Sequence, residues 1–131
     1  VQTDFWAYNP SINQWTAKKK LPGNVSRFMY SVNGLGHVYS DVNFNYKHYA
    51  YNQSVDEWQI FDEVIPPYVI DLNSYVKIDN SIYVLQYNSG VPELFEFKPL
   101  VATWDRLPYR GGKRFLPVFF NVGNMIYLGS G

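Results

Sequence analysis

The chain has 131 residues, with 11 basic and 11 acidic side chains, no cysteine, and aromatic residues making up 19% of the total. A net charge near zero argues against a broad nucleic-acid or polybasic membrane surface, and the lack of cysteine excludes disulfides, Cys-ligated zinc and thiol chemistry. No apolar run approaches the roughly 20 residues of a membrane-spanning helix, while so many rings offset the entropy of ordering, so residues 1–131 are expected to fold as one β-leaning domain.

In chain order, the segments read as short strands because they are β-branched or aromatic and often alternate. Phe5-Trp6-Ala7-Tyr8-Asn9-Pro10 is strand-like, and a hairpin loop at Asn9 to Asn13 leads into a strand carrying Trp15. Lys18-Lys19-Lys20 reads as a solvated loop. Further strands are expected at Phe28 to Asn33, Leu35 to Ser40, Tyr46 to Asn52, Glu57 to Asp62 and Val69 to Ile78. The series ends with Ser81 to Gln86, Glu93 to Lys98, Thr103 to Leu107, Leu116 to Val122 and Met125 to Gly129. The pairs Asn33-Gly34, Asp79-Asn80 and Gly123-Asn124 mark tight hairpin turns. No stretch has the period and caps of a helix.

The strands repeat. Trp15, Trp58 and Trp104 recur at spacings of 43 and 46, and Val38-Tyr39, Ile82-Tyr83 and Ile126-Tyr127 at 44 and 44. The approximate repeats are 1–40, 41–85 and 86–131, the first starting part-way through a unit. Leu21-Pro22, Ile65-Pro66 and Leu107-Pro108 follow the three tryptophans, and Arg27-Phe28 and Arg114-Phe115 open the next segments. Four strands in a period of about 44 residues is the scale of a propeller blade. The Gly-His and Trp-Asp pairs of a WD repeat occur once each and out of phase, at Gly36-His37 and Trp104-Asp105.

The order ring-x-Tyr-Asn-Pro-x-x-Asn-x-Trp, then Leu-Pro, then Arg, then a small turn and an apolar-Tyr pair, resembles the Kelch repeat, most clearly over residues 4 to 40. The two glycines that usually close the family's second strand are replaced by Ser40-Asp41, Gln86-Tyr87 and Gly129-Ser130. The resemblance implies an all-β fold of Kelch-type β-propeller blades, each of four antiparallel strands, with the Tyr on the second strand and the Trp on the fourth. The chain then enters in a third strand and leaves after a second, giving three blade equivalents, half of a six-bladed propeller. Closure takes about four to eight blades. The expected partner is therefore either a second copy, in a two-fold six-bladed dimer, or further repeats of a longer chain. Val1 in place of an initiator Met fits a trimmed or excised chain, and the compartment stays open.

The resemblance places the loops between fourth and first strands, and between second and third strands, on one ligand-binding face. Those loops contain Arg27, Arg114, Arg110, Tyr68, Tyr87, Asn43 and Phe44, and convergent guanidinium and ring groups suit a carboxylate-bearing sugar or an acidic peptide. Arg27 and Arg114 have a second reading as hydrogen-bond donors to loop carbonyls. No phosphate loop, nucleophile elbow or His-Glu-x-x-His motif is present. His37 and His48 lack a partner at metal-ligand spacing, so neither metal nor cofactor is expected. The expected function is a non-catalytic module binding a protein or glycan. The alternative is a carbohydrate-active enzyme of the sialic-acid mutarotase type, for which Glu63 and Glu93 are the loop carboxylic acids.

Overall fold

The computed structural model describes residues 3–23, 25–42, 45–61, 75–88, 90–113 and 118–129. Among them are twelve strands and no helix. The first six are β1 (Phe5–Asn9), β2 (Gln14–Lys18), β3 (Val25–Val32), β4 (Leu35–Val42), β5 (Asn45–Asn52) and β6 (Glu57–Ile60). The rest are β7 (Tyr75–Ile78), β8 (Ser81–Asn88), β9 (Val91–Lys98), β10 (Thr103–Leu107), β11 (Val118–Val122) and β12 (Met125–Gly129). Two compact units divide the chain at Val1–Ile65 and Pro66–Gly131. The first holds the pair β1-β2 and the sheet β3-β4-β5-β6; the second holds the sheet β10-β9-β8-β7 and the pair β11-β12. Every pairing is antiparallel between strands adjacent in sequence.

Two kinds of hairpin recur, each explained by its turn residues. Asn33 and Gly34 both take positive φ, 50° and 74°, matching a two-residue turn to the right-handed twist of β3 and β4. Asp79 and Gly123 open the equivalent turns at φ 51° and 57°. The second kind is a four-residue loop whose last residue is left-handed: Asn13 before β2, Asp56 before β6 and Ala102 before β10, at φ 50°, 52° and 55°. Two residues beyond each stands one of the three in-phase tryptophans. Trp15 pairs across strands with Tyr8, Trp58 with Tyr51 and Trp104 with Phe97, at ring separations of 4.9, 4.9 and 4.4 Å.

The expected strand at Val69 to Ile78 is observed as Tyr75–Ile78, and that at Leu116 to Val122 as Val118–Val122; residues 69–74 and 116–117 lie outside the described ones. β3 starts at Val25 rather than Phe28, because a bulge at Arg27 lets the ladder continue upstream: Ser26 pairs with Ser40 and Phe28 with Tyr39.

The turns also give a frame finer than residue type. His37, Tyr83 and Tyr127 are each the third residue of their strands, whereas Tyr39 is the fifth of β4. In the ladder, His37 therefore holds the position of the tyrosines at 83 and 127, and Tyr39 matches Leu85. The 44-residue spacing of Tyr39 from Tyr83 aligns residue types, not rungs.

In the second unit one face of β8 and β9 buries Ile82, Val84, Phe95 and Phe97, and Leu85 is buried on the other. Each such side chain stabilises the fold by about 1.5–3 kcal/mol relative to exposure. In the first unit β1-β2 is fastened to its larger neighbour. Phe5 lies 5.0 Å from Tyr51 and 5.1 Å from Trp58 by ring centroid. Trp58 Nε1 donates to the Lys19 carbonyl at 2.9 Å, Lys19 N donates to Asp56 Oδ1 at 3.0 Å, and Lys19 Nζ pairs with Glu57 at 3.1 Å. The middle of the lysine run is thus an anchor through both its backbone and its side chain.

Candidate binding site at the end of the β7–β10 sheet

Strand polarity brings the end of β8, the start of β9 and the end of β10 to one end of the sheet. Gln86 on β8 pairs in register with Glu93 on β9, and side chains at such a rung stand on the same face about 4.5–5.5 Å apart. Arg106 on β10 pairs with Phe95, two residues on from Glu93 along the same face. Its guanidinium reaches back, with Nη2 2.7 Å from Glu93 Oε1.

Burial is unequal across this ion pair: the Glu93 side chain is 8% exposed and that of Arg106 67%. One carboxylate oxygen is neutralised by the guanidinium. Glu93 Oε2, and both Oε1 and Nε2 of Gln86, are buried without a hydrogen-bond partner among the described residues. Such atoms cost about 1–3 kcal/mol each when left unmade, so three at one rung of an otherwise apolar face is an exception to the rule that buried polar groups are satisfied.

Beside this rung the chain from 107 to 113 leaves the sheet and folds over a concavity of about 530 Å³ lined by Glu93, Arg106, Pro92, Pro108, Tyr109 and Lys113, among others. The Tyr109 hydroxyl donates to the Gly112 carbonyl at 3.2 Å, pinning the loop on itself. A β-carbon at Gly111 would displace the Tyr109 hydroxyl and ring. The equivalent rung of the first unit is Ser40 with Lys47, so the carboxylate–amide pair belongs to the second unit alone among the described residues.

Of the residues singled out by sequence, Arg110 is exposed within the 107–113 segment. Tyr87 follows Gln86 on β8 and pairs with Pro92, which lines the concavity; its side chain is outside the described set. Arg27 is the unpaired residue of the β3 bulge, and its side chain also lies outside the described set. Arg114, Tyr68, Asn43, Phe44 and Glu63 lie outside the described residues altogether. Arg27 stands six residues before Asn33, and Arg114 nine before Gly123, so spacing from the turn does not make them equivalent. Sequence reasoning reached Glu93 but missed Gln86 and Arg106. The signal was available: counting back from the Asn88 to Val91 turn puts Gln86 opposite Glu93.

A second polar cluster lies within the β3–β6 sheet. His37 and His48, both buried, approach with Nδ1 of one 3.1 Å from Nε2 of the other, and the Tyr30 hydroxyl is 3.3 Å from that same Nε2. Tyr30 stacks on His37 at 4.8 Å, Tyr39 on His48 at 4.2 Å, and Phe61 meets both imidazoles edge-on. Burial lowers both histidine pKa values, that of His48 to about 4 with His37 adding to the effect, and burial raises Tyr30. The ring nitrogens point at each other, leaving no room for an ion between them. No group of three or more His, Asp or Glu able to hold a metal occurs among the described residues, and none of their helices is long and apolar enough to cross a membrane, as they form none.

Compared with known proteins, the chain matches no family model and no curated protein sequence.

Proposed function

We propose that this chain supplies Kelch-like propeller blades and works as a non-catalytic binding module, taking a protein or glycan ligand at the loop end of the β7–β10 sheet. The observation that carries the reading is the buried Glu93, ion-paired to exposed Arg106 on the wall of a concavity of about 530 Å³. Concave sites with apolar walls and a few convergent polar groups are the usual form of a ligand site. The blade reading draws support from the strand arrangement of two, four, four and two, with a tryptophan on the last strand of three sheets. Screening wild type and Arg106→Ala against glycan and peptide arrays tests it: ligands retained by wild type and lost by the variant are expected, and identical profiles would remove this site.

The same Glu93–Arg106 pair favours one second reading, a carbohydrate-active enzyme, since a carboxylate and a guanidinium share the wall of one concavity. Following the anomers of a sugar acid by NMR separates the two. Accelerated interconversion replaces the binding reading.

In the blade reading β12 and β1, which each end a two-stranded sheet, complete a four-stranded blade in a two-fold pair of chains, or further repeats supply the same strands. Light scattering distinguishes these. A stable particle of 15.3 kDa removes self-pairing.

A further inference from the structure

We infer that β12 of one chain pairs antiparallel with β1 of a second copy, with Tyr127 opposite Ala7, so that two chains complete two four-stranded sheets between them. The inference rests on the blade reading above and gives it one partner and one register.

The two-stranded pairs are complementary halves of one pattern. In both four-stranded sheets a two-residue turn joins the first strand to the second, at Asn33-Gly34 and Asp79-Asn80, and a four-residue loop ending at Asp56 or Ala102 joins the third to the fourth. The β11-β12 pair has the first kind of connection, at Gly123-Asn124, and β1-β2 has the second, ending at Asn13. Packing within each unit agrees. β11 lies against β7, the first strand of its neighbouring sheet, whereas Phe5 of β1 lies against Tyr51 and Trp58, on the third and fourth strands of its own neighbour.

The pairing that neither half contains is that of second strand with third, and its register is the same in both complete sheets. The third residue of the second strand meets the residue two before the end of the third strand: His37 meets Ala50, and Tyr83 meets Glu96. Transferred to β12, which begins at Met125, and β1, which ends at Asn9, the rule sets Tyr127 opposite Ala7 and Leu128 opposite Trp6. The exposed rings fit this ladder. Tyr49, Tyr51, Phe95 and Phe97 hold the positions of Trp6 and Tyr8 in the complete sheets and are buried, while Trp6 and Tyr8 are 49% and 45% exposed. Open edges with apolar faces associate, and a two-fold pair of chains offers each half to the other twice. The donor is a second copy rather than the same chain, because a propeller closes with about four to eight sheets and the twelve described strands amount to three.

The chain has no cysteine, so introduced thiols alone report the pairing. Ala7→Cys and Tyr127→Cys are made as separate variants, mixed and oxidised, since opposite residues on antiparallel strands lie about 4.5–5.5 Å apart at Cα, within disulfide reach. A disulfide-linked pair of chains is expected in the mixture and in neither variant alone, with a wild-type particle of twice 15.3 kDa by light scattering. Should Tyr127→Cys fail to fold, Trp6→Cys with Leu128→Cys reads the next rung. A slip of one residue turns a side chain to the other face, so Ala7→Cys mixed with Ile126→Cys is expected to stay unlinked. No link in the first mixture overturns the proposal, and a particle of 15.3 kDa then leaves the blade reading to further repeats alone. A chain carrying both Ala7→Cys and Tyr127→Cys that links within itself as a monomer overturns the second copy. Linkage in the Ile126→Cys mixture overturns the register, and the blade reading with it.

Discussion

The Tyr51 hydroxyl donates to the Asp56 carboxylate at 2.6 Å, joining the strand before a four-residue loop to the left-handed residue that ends it. Tyr8 and Asn13 make the same bond at 2.9 Å in the first hairpin. In the third, Phe97 and Ala102 have lost donor and acceptor together. Asp56 also accepts from Lys19 N, and that backbone bond is the larger cause of its lowered pKa, with Tyr51 next. A carboxyl whose folded pKa is depressed adds stability above its ordinary value and loses it as pH falls through the folded one. Tyr51→Phe is expected to raise the Asp56 pKa toward the ordinary range and to flatten that part of the acid dependence. NMR titration of the Asp56 carboxyl checks this, and an unchanged midpoint would assign the whole shift to Lys19.

Ala102 holds φ 55° without a side chain able to hydrogen-bond locally, a conformation that costs a non-glycine residue about 1–2 kcal/mol. Ala102→Asn, the residue found at position 13, is expected to stabilise the second unit by about 0.5–1 kcal/mol. Adding Phe97→Tyr restores the missing pair and raises the gain further. Urea midpoints of the single and double variants measure both steps.

The buried imidazoles of His37 and His48 are flanked by Tyr30, Tyr39 and Phe61 and by no charged side chain among the described residues. His48 titrates near 4 in the fold against 6.5 when unfolded, so the unfolded chain binds the extra proton between these values. Stability is therefore full above about pH 6.5 and declines as the pH falls toward 4, with a slope of at most about 1.4 kcal/mol per pH unit for one proton. Chemical denaturation at intervals across that window tests the sign. Stability that rises on acidification contradicts it.

Trp58→Phe keeps the ring against Tyr51 and Phe5 but removes the Nε1 donor to the Lys19 carbonyl. The expected loss is about 1 kcal/mol. Hydrogen exchange should show faster opening of β1-β2 than of the β3–β6 sheet in this variant, since the deleted bond fastens the former to the latter. Equal acceleration in both would mean that Phe5 and the Lys19 bonds to Asp56 and Glu57 hold them without it.

Much of this architecture was legible in the chain because hairpins are local. Turn residues fix the register of each strand against its sequence neighbour, so Thr103 to Leu107 and Met125 to Gly129 match observed strands end to end. The bulge at Arg27 was not legible: it adds a residue without a sequence signature, and it shifts the backbone register upstream of Phe28. Arg106 was missed for a different reason. It sits next to last on β10, on the face of Trp104, and only the pairing of β10 with β9 brings that face to Glu93. The histidines illustrate the same point, for eleven residues of sequence separate two nitrogens that the β4–β5 hairpin sets 3.1 Å apart.

The three repeating tryptophans occupy one motif at different depths: Trp15 is 66% exposed, while Trp58 and Trp104 are half-buried beside Tyr51 and Phe97. Their emission is thus a built-in optical gauge. Acrylamide reaches Trp15 first, so a shielded, blue-shifted Trp15 would announce that another surface had come to rest on β1-β2, without any label attached to the chain.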